Sequence, residues 1–565
     1  MLHWESPARP GQGALAAASH ASVPQVALAC FLLFAGALLV RLVGLYDPPI
    51  FDEMYTVLAA QGWLIDGEPR IGEGIYDRAE LYSMIVAWFF RWFGESLPVA
   101  RLPSLITGSL LVVAVFLWTR AVAGSVAAWI AALFVALSPI NIQVSQFARF
   151  YALQALLFWL ASIGVYSLCS RPFDYRRSIL LGLACGLAFL FAFHLQLLTL
   201  VGLAGVGLWV ACACCIPWLW SLRSRPTVFW GIIGLLVVVG AATVAAATWS
   251  GVAEALIDRY RWAPLHNAVS RNEVWYYHLH FIERYPSLWP LFPLAALLAI
   301  ATRPRPAWFC LTIFATGFIL ISFAGMKHFK YLTFITPFLF VIWAIALAEA
   351  FAYLRVAFVT VADRALDHSL PNLPRRPARW VLIAGCLLFL VFANGAPART
   401  LLLPFGISLN EEGAPVDWER AREVLAPWID QASVVLTNEE LAIYYYYGRH
   451  DFTISASRLS EIADPAEFAL DTRTGRPVVS TAESVERIMD CFPDGLLLTN
   501  TKKWRDPTQL NDQVADLIES RGEQIEMPRA SRIVAFRWQQ PEGAVPDADC
   551  ASLPAPAAGA PARSG

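Results

Sequence analysis

Five short clusters of charged and polar residues interrupt an otherwise apolar chain, and each holds side chains suited to phosphate or sugar chemistry. The first is the pair Asp52-Glu53 in PPIFDEMYT (residues 48–56), directly after the apolar run VALACFLLFAGALLVRLVGLY. A carboxylate fixed and partly desolvated at a membrane edge can act as a general base. Acids also suit the first turn of a helix starting there, and for Glu53 that capping role is an equal reading. The second cluster, GIYDRAELY (74–82), crowds Asp77, Arg78 and Glu80 into four positions. It reads either as a solvated turn or as a phosphate grip, for which the planar guanidinium of Arg78 is well shaped.

The third cluster is SQFARFYAL (145–153), with Arg149 and, slightly deeper, Tyr151 as a hydroxyl donor. Snorkelling and phosphate binding are equal readings of Arg149. In FAFHLQLL, His194 and Gln196 break an apolar stretch, although a lone histidine is more often structural. The last cluster, GMKHFKYL (325–332), gathers Lys327, His328 and Lys330. A phosphate headgroup would account for it, and so would an anionic lipid held for structural reasons. A long loop, 250–285, adds Arg259, Arg261, Trp262, Trp275, Tyr276 and Tyr277, which suit sugar stacking but better suit an interfacial aromatic belt.

The elements that must position these groups are membrane helices. The 565 residues are 57% hydrophobic and 15% charged, with a mean hydropathy of +0.53. Soluble domains carry about a quarter charged residues, so the composition is that of an integral membrane protein. A net charge of −2 gives no nucleic-acid footprint. Runs near 24–45, 100–120, 124–142, 150–170, 178–194, 196–220, 228–249, 286–302, 307–325, 331–354 and 380–396 predict about eleven spans. The first run is longer than a signal-peptide core and reads as an uncleaved span.

Segment 79–94, AELYSMIVAWFFRWFG, is shorter and rich in aromatics, and sets the orientation. Arginines cluster at 171–177, 221–226, 302–306 and 355–379, two spans apart, and so fall on one side, the cytoplasm by the positive-inside rule. If 79–94 lies in the interface, residues 1–23 form a cytoplasmic tail. Loop 46–99 is then external, with interfacial helices near 52–65 and 79–93, and all five clusters share its face. Residues 24–396 form the membrane domain. Alternating strand and helix patterns over 397–540, including SVVLTN, RPVVST, GLLLTN and RIVAFRW, predict a small extracytoplasmic α/β domain. The Pro/Ala/Gly-rich stretch 541–565 reads as disordered.

Of the 10 cysteines, Cys30, Cys169, Cys185, Cys212, Cys214, Cys215, Cys310 and Cys386 lie in apolar runs and read as small buried hydrophobes. CACC at 212–215 lacks any nearby His or carboxylate that would complete a metal site. Cys491 and Cys550 are expected to stay unpaired, because Cys550 falls in the tail. No internal repeat is evident.

FDE after the first span, YDRAELYSMIVAWFFRWFGESLPVARLPS, SPINIQVSQFARFYAL and KHFKYLTFITPFLFVI together resemble the GT-C glycosyltransferases. The likeness, over residues 40 to 345, is to the branch with protein O-mannosyltransferases and the lipid A aminoarabinose transferase. It implies a mainly α polytopic fold of the bacterial inner membrane. It also implies inverting transfer of a sugar from a polyprenyl-phosphate donor to an acceptor hydroxyl or phosphate on the extracytoplasmic face, the acceptor being a lipid, glycan or protein.

By the same resemblance Asp52 is the general base, with Glu53 beside it. Arg78 falls where the aminoarabinose transferase has a lysine, and binds the lipid phosphate with Asp77 orienting it. Lys327 and Lys330 offset the charge growing on the leaving phosphate, and Arg149 binds phosphate or organises the cavity. Tyr151, His194 and His328 support them. QVSQFARFY lacks the second acid some members carry, so no metal and no cofactor is expected. A transporter or flippase is the main alternative, disfavoured by the scarcity of intramembrane charge and by the absence of repeat symmetry. A pyrophosphate-linked glycan ligase and a non-catalytic scaffold are weaker alternatives.

Overall fold

Away from water, backbone N–H and C=O groups must pair within their own segment, so apolar runs of about twenty residues become helices. The computed structural model describes residues 22–171, 174–263, 273–369, 385, 393–403, 416–462, 466–540 and 548–555. Its first helices are α1 (Val23–Leu42), α2 (Phe51–Ile65), α3 (Glu80–Phe93), α4 (Leu97–Ala123), α5 (Ser125–Ala136), α6 (Pro139–Gln146), α7 (Tyr151–Ser170) and α8 (Tyr175–Leu195). Among the described residues eight helices are long and apolar enough to cross a membrane: α1, α4, α7, α8, Thr199–Ser224, Pro226–Trp249, Pro304–Ser322 and Thr336–Leu354. The chain is a multi-pass membrane protein.

The other three expected spans differ in kind. Residues 124–142 form the bent pair α5–α6, broken by 53° where Pro139 can donate no N–H to continue the helix. Residues 286–302 contain a shorter apolar helix, Phe292–Thr302. Most of 380–396 lies outside the described residues. CACC forms a π-helical segment, Ala211–Cys215, just ahead of Pro217.

Helix α3 has 14 residues, about 21 Å at about 1.5 Å per residue, too short for a hydrocarbon core of about 30 Å. It buries Tyr82, Val86 and Phe90 at a spacing of four, while Trp88, Trp92 and Phe93 are exposed. With α2 it forms a pair of short helices at one end of the bundle. A two-stranded hairpin, β1 (Arg70–Ile71) and β2 (Gly74–Ile75), joins them.

The C-terminal region is an α/β domain around one seven-stranded sheet. Its strands are β3 (Val434–Thr437), β4 (Phe452–Ile454), β5 (Ala469–Asp471), β6 (Arg476–Val479), β7 (Asp494–Asn500), β8 (Glu523–Gln524) and β9 (Ile533–Gln539). They run in the order β5-β6-β4-β3-β7-β9-β8, with β6, β4, β3 and β7 parallel and the edges antiparallel. The four strands legible in the sequence are β3, β6, β7 and β9. Strand β3 is buried along its whole length, as expected where helices cover both faces.

One expectation is corrected here: Cys491 and Cys550 form a disulfide, with Cα atoms 5.4 Å apart. After β9 the chain turns back towards helix Ala482–Cys491, where the Gln540 side chain donates to the carbonyls of Met489 and Asp490 at 2.8 and 2.6 Å. That return brings the turn Ala548–Ser552 to Cys491.

Candidate active site

Asp52 and Glu53 open α2, and its first turn sends them to different partners. Glu53 is fully buried and grips Arg101 of α4 through two bonds of 2.8 Å. Its Oε1 also accepts the Ala148 N–H at 2.7 Å, and Oε2 accepts the Ile50 N–H at 3.4 Å. Arg101 in turn donates to the carbonyls of Leu45 (2.7 Å), Asp47 (2.9 Å) and Gly44 (3.3 Å). The pair thus ties together the α1–α2 connection, α2, α4 and the segment before α7. Glu53 was expected beside the base; its oxygens are instead spent on this scaffold.

Asp52 faces the other way. Lys330 Nζ lies 2.7 Å from its carboxylate, and the two side chains keep 17% and 34% of their exposure. Lys330 stands on a 3-10 turn, Phe329–Leu332, whose start is fixed by the Lys330 N–H donating to His328 Nδ1 at 3.1 Å. Its ammonium is 5.7 Å from the ring centre of Tyr151, which is buried, and 5.8 Å from that of Tyr331. Arg149 is 2% exposed and donates through Nη1 to Tyr76 Oη at 3.0 Å and Thr56 Oγ1 at 3.3 Å. Its Nε is buried without a partner. The guanidinium groups of Arg149 and Arg78 lie 5.0 and 6.0 Å from the same Phe150 ring.

Burial alone would lift the Asp52 carboxyl, but the Lys330, Arg149 and Arg78 charges outweigh it and hold it well below the usual carboxylate range. Three cations around one carboxylate leave an excess of positive charge, which suits an anionic ligand such as a phosphate. Asp77, next to Arg78, is exposed.

Two expected residues stand elsewhere. Lys327 is buried and donates to the Ala324 carbonyl at 2.7 Å, with Glu273 as its charged neighbour; burial pulls its amine down. Its amine turns back to Ala324, because Lys327 lies ahead of the 3-10 turn that carries Lys330 to Asp52. His194 is exposed at the end of α8 and makes none of these contacts. His328 does adjoin the site as a neutral ring: burial, reinforced by the Lys330 charge, pulls it down to about 3. Its work is to hold Lys330.

Four residues of the cluster were not singled out from sequence: Arg101, Tyr76, Thr56 and Tyr55, whose buried ring stacks on that of Tyr76. Arg101 had a signal, being an arginine near the start of a 27-residue apolar helix. The other three look like ordinary core residues. Among the described residues no three His, Cys, Asp or Glu side chains converge as a metal site.

No protein-family model matches the sequence, and no curated protein matches it by sequence. Among solved structures it is similar to ArnT from Cupriavidus metallidurans bound to undecaprenyl phosphate, with a TM-score of 0.58 and 16% identity over 90% of this chain and 97% of that one. The chain shares the fold of that protein. The apo form of the same ArnT gives a TM-score of 0.57 and 17% identity, covering 90% and 98% of the two chains. The archaeal oligosaccharyltransferase AglB from Archaeoglobus fulgidus, in complex with an inhibitory peptide and a dolichol-phosphate, gives 0.55 and 12% identity over 89% and 74%. At these identities the likeness is one of fold. The α/β domain lies at the same end of the bundle as Asp52, since α2 packs against helix Glu440–Tyr447.

Proposed function

We propose that the protein is an inverting glycosyltransferase that moves a sugar from a polyprenyl-phosphate donor to an acceptor hydroxyl or phosphate, with Asp52 as general base. The observation that carries the reading is a half-open carboxylate ringed by Lys330, Arg149 and Arg78 at the end of a membrane bundle. The fold is shared with a protein captured with undecaprenyl phosphate and one captured with a dolichol-phosphate, which supports a lipid-phosphate donor. The reaction face is extracytoplasmic in a bacterial inner membrane. Helix directions put the arginine-bearing turns near 171, 223 and 303 at the opposite end from Asp52, as the positive-inside rule requires.

Paired with Lys330, Asp52 is a weak base. A donor phosphate offers Lys330, Arg78 and Arg149 competing oxygens. As Lys330 turns to the phosphate, whose charge offsets those of Arg78 and Arg149, Asp52 becomes more basic with donor in place. The acceptor O–H then donates its proton to Asp52 as its oxygen bonds to the anomeric carbon, on the face opposite the phosphate. The bond from that carbon to the phosphate oxygen breaks, and its electron pair stays on the phosphate. Lys330, Arg78 and Arg149 stabilise the charge that grows there, already in place before the reaction. Glu53 positions α2 through Arg101, His328 positions Lys330, and Tyr151 walls the cation in.

The test is transfer of radiolabelled sugar from polyprenyl-phosphate donors in membranes, with donor binding followed in parallel. Asp52→Asn is expected to lower transfer by about 10²–10⁴-fold, the usual worth of a general base, while donor is still bound. Transfer near the wild-type rate would reduce Asp52 to a helix cap.

A further inference from the structure

The α/β domain reaches the candidate site along one continuous path of side chains. Arg458, in the short helix Ala456–Leu459, donates through Nη2 to the Tyr55 hydroxyl at 2.7 Å, across 403 residues of sequence. Arg458 is 6% exposed and held by carboxylates of its own domain: Asp471 in a short paired contact, Glu461 at 3.1 Å and Glu440 at 3.9 Å. The Tyr55 ring stacks on that of Tyr76, with centres 4.8 Å apart and planes within 7°. Both rings are buried. Tyr76 Oη accepts from Arg149, whose charge acts on Asp52.

The hairpin that leads to Tyr76 is tied down by the same domain. The Glu73 and Ile75 N–H groups donate to the carbonyls of Thr474 (3.2 Å) and Thr472 (3.0 Å), and Arg476 pairs with Glu73 at 3.2 Å. The two backbones approach so closely that a Cβ on Gly74 would lie 2.5 Å from the Gly475 nitrogen. Gly475 itself has φ +70°, open to glycine at no steric cost.

We propose that the α/β domain is a positioning element of the membrane site: Arg458, through the stacked Tyr55–Tyr76 pair, fixes Arg149 against the donor's phosphate. This rests on the reading of Arg149 as a phosphate ligand. Three features make the path mechanically effective. Stacked aromatic rings have few degrees of freedom. Arg458 cannot shift without giving up its contacts to the buried Asp471 and Glu440, a costly change. Arg149 is held through Nη1, while its buried Nε has unused hydrogen-bonding capacity.

The test uses the full chain in detergent or nanodiscs, with undecaprenyl phosphate as the probe. Arg149→Ala is expected to weaken its binding about 10- to 100-fold, as for a hydrogen bond to a charged group. Tyr55→Phe keeps the ring and the stack and removes only the hydroxyl that Arg458 holds. It should weaken binding about 3- to 10-fold, raising KM for the donor with kcat nearly unchanged.

Combined with Arg149→Ala it should add nothing further, because the two act through one group. Arg458→Ala should match Tyr55→Phe, and Arg458→Lys should restore part of the loss. Arg505→Ala, at a surface ion-pair cluster of the same domain, should bind as wild type. If Tyr55→Phe binds like wild type while Arg149→Ala does not, the positioning role is overturned and the phosphate assignment survives. If Arg149→Ala also binds like wild type, the phosphate assignment falls and takes the positioning role with it. Should Arg458→Ala fail to fold, Tyr55→Phe decides alone.

Discussion

Two ion pairs begin one residue apart and have opposite characters. Glu53–Arg101 is sealed: the side chains are 0% and 2% exposed, and every oxygen of the acid has a partner. Asp52–Lys330 is half open, rests on one contact of 2.7 Å, and sits among two further cations. A saturated buried pair cannot exchange partners without a large desolvation penalty, so it serves as scaffold. A partly exposed pair is worth little in stability and can be opened by a competing anion. Catalytic potential here is a matter of which contact can be given up.

The contrast can be broken most sharply by exchanging the two acids' fates. Asp52→Asn is expected to cost about 10²–10⁴-fold in transfer rate while the thermal midpoint stays close to wild type. Glu53→Ala leaves Arg101 buried without its partner and should destabilise the fold by about 3–5 kcal/mol, seen as a large drop in the thermal midpoint or loss of folded protein from the membrane. Equal losses of stability from the two substitutions would erase the distinction.

A third test sharpens it through pH. Burial holds His328 and His450 down to about 3 and His280 down to about 4, so the folded state keeps all three neutral. An unfolded chain protonates them near pH 6.5. Between about 6.5 and 3–4 the unfolded state therefore binds more protons, and stability falls as pH falls; above about 6.5 it is flat with respect to these groups. The slope is at most about 1.4 kcal/mol per pH unit for each histidine. Melting curves from pH 7.5 to 4.5 would show it, and His450→Phe should lower the slope by about a third. A constant midpoint across that range would contradict the neutral assignment. Last and smallest, Lys330→Met should change stability by no more than about 1 kcal/mol, yet weaken binding of a polyprenyl phosphate, so that calorimetry and binding diverge.

Much of the architecture was legible because its cause is local. Apolar runs near bilayer length, the short aromatic-rich α3 with its buried stripe, and the alternating pattern after residue 415 follow from side-chain types and their period. Cations at 78, 149 and 330 stood out because charge at a membrane edge needs a reason. The Cys491–Cys550 bond was misread, since its cause, the return of the chain after β9, is not local. Strands β4, β5 and β8, two or three residues long, carry no pattern of their own.

By itself the sequence determined that acids open α2, that cations gather near both ends of neighbouring spans, and that an α/β domain follows the bundle. Only the tertiary structure decided which acid stays open. Consecutive helical residues point about 100° apart, so Asp52 and Glu53 had to meet different neighbours, but Lys330 and Arg101 lie 278 and 48 residues away. Packing likewise turned Lys327 inward, made His328 a brace for Lys330, and brought Arg458 onto Tyr55. Each of these contacts joins residues whose separation along the chain carries no periodic signal, so only the folded arrangement of the helices could pair them.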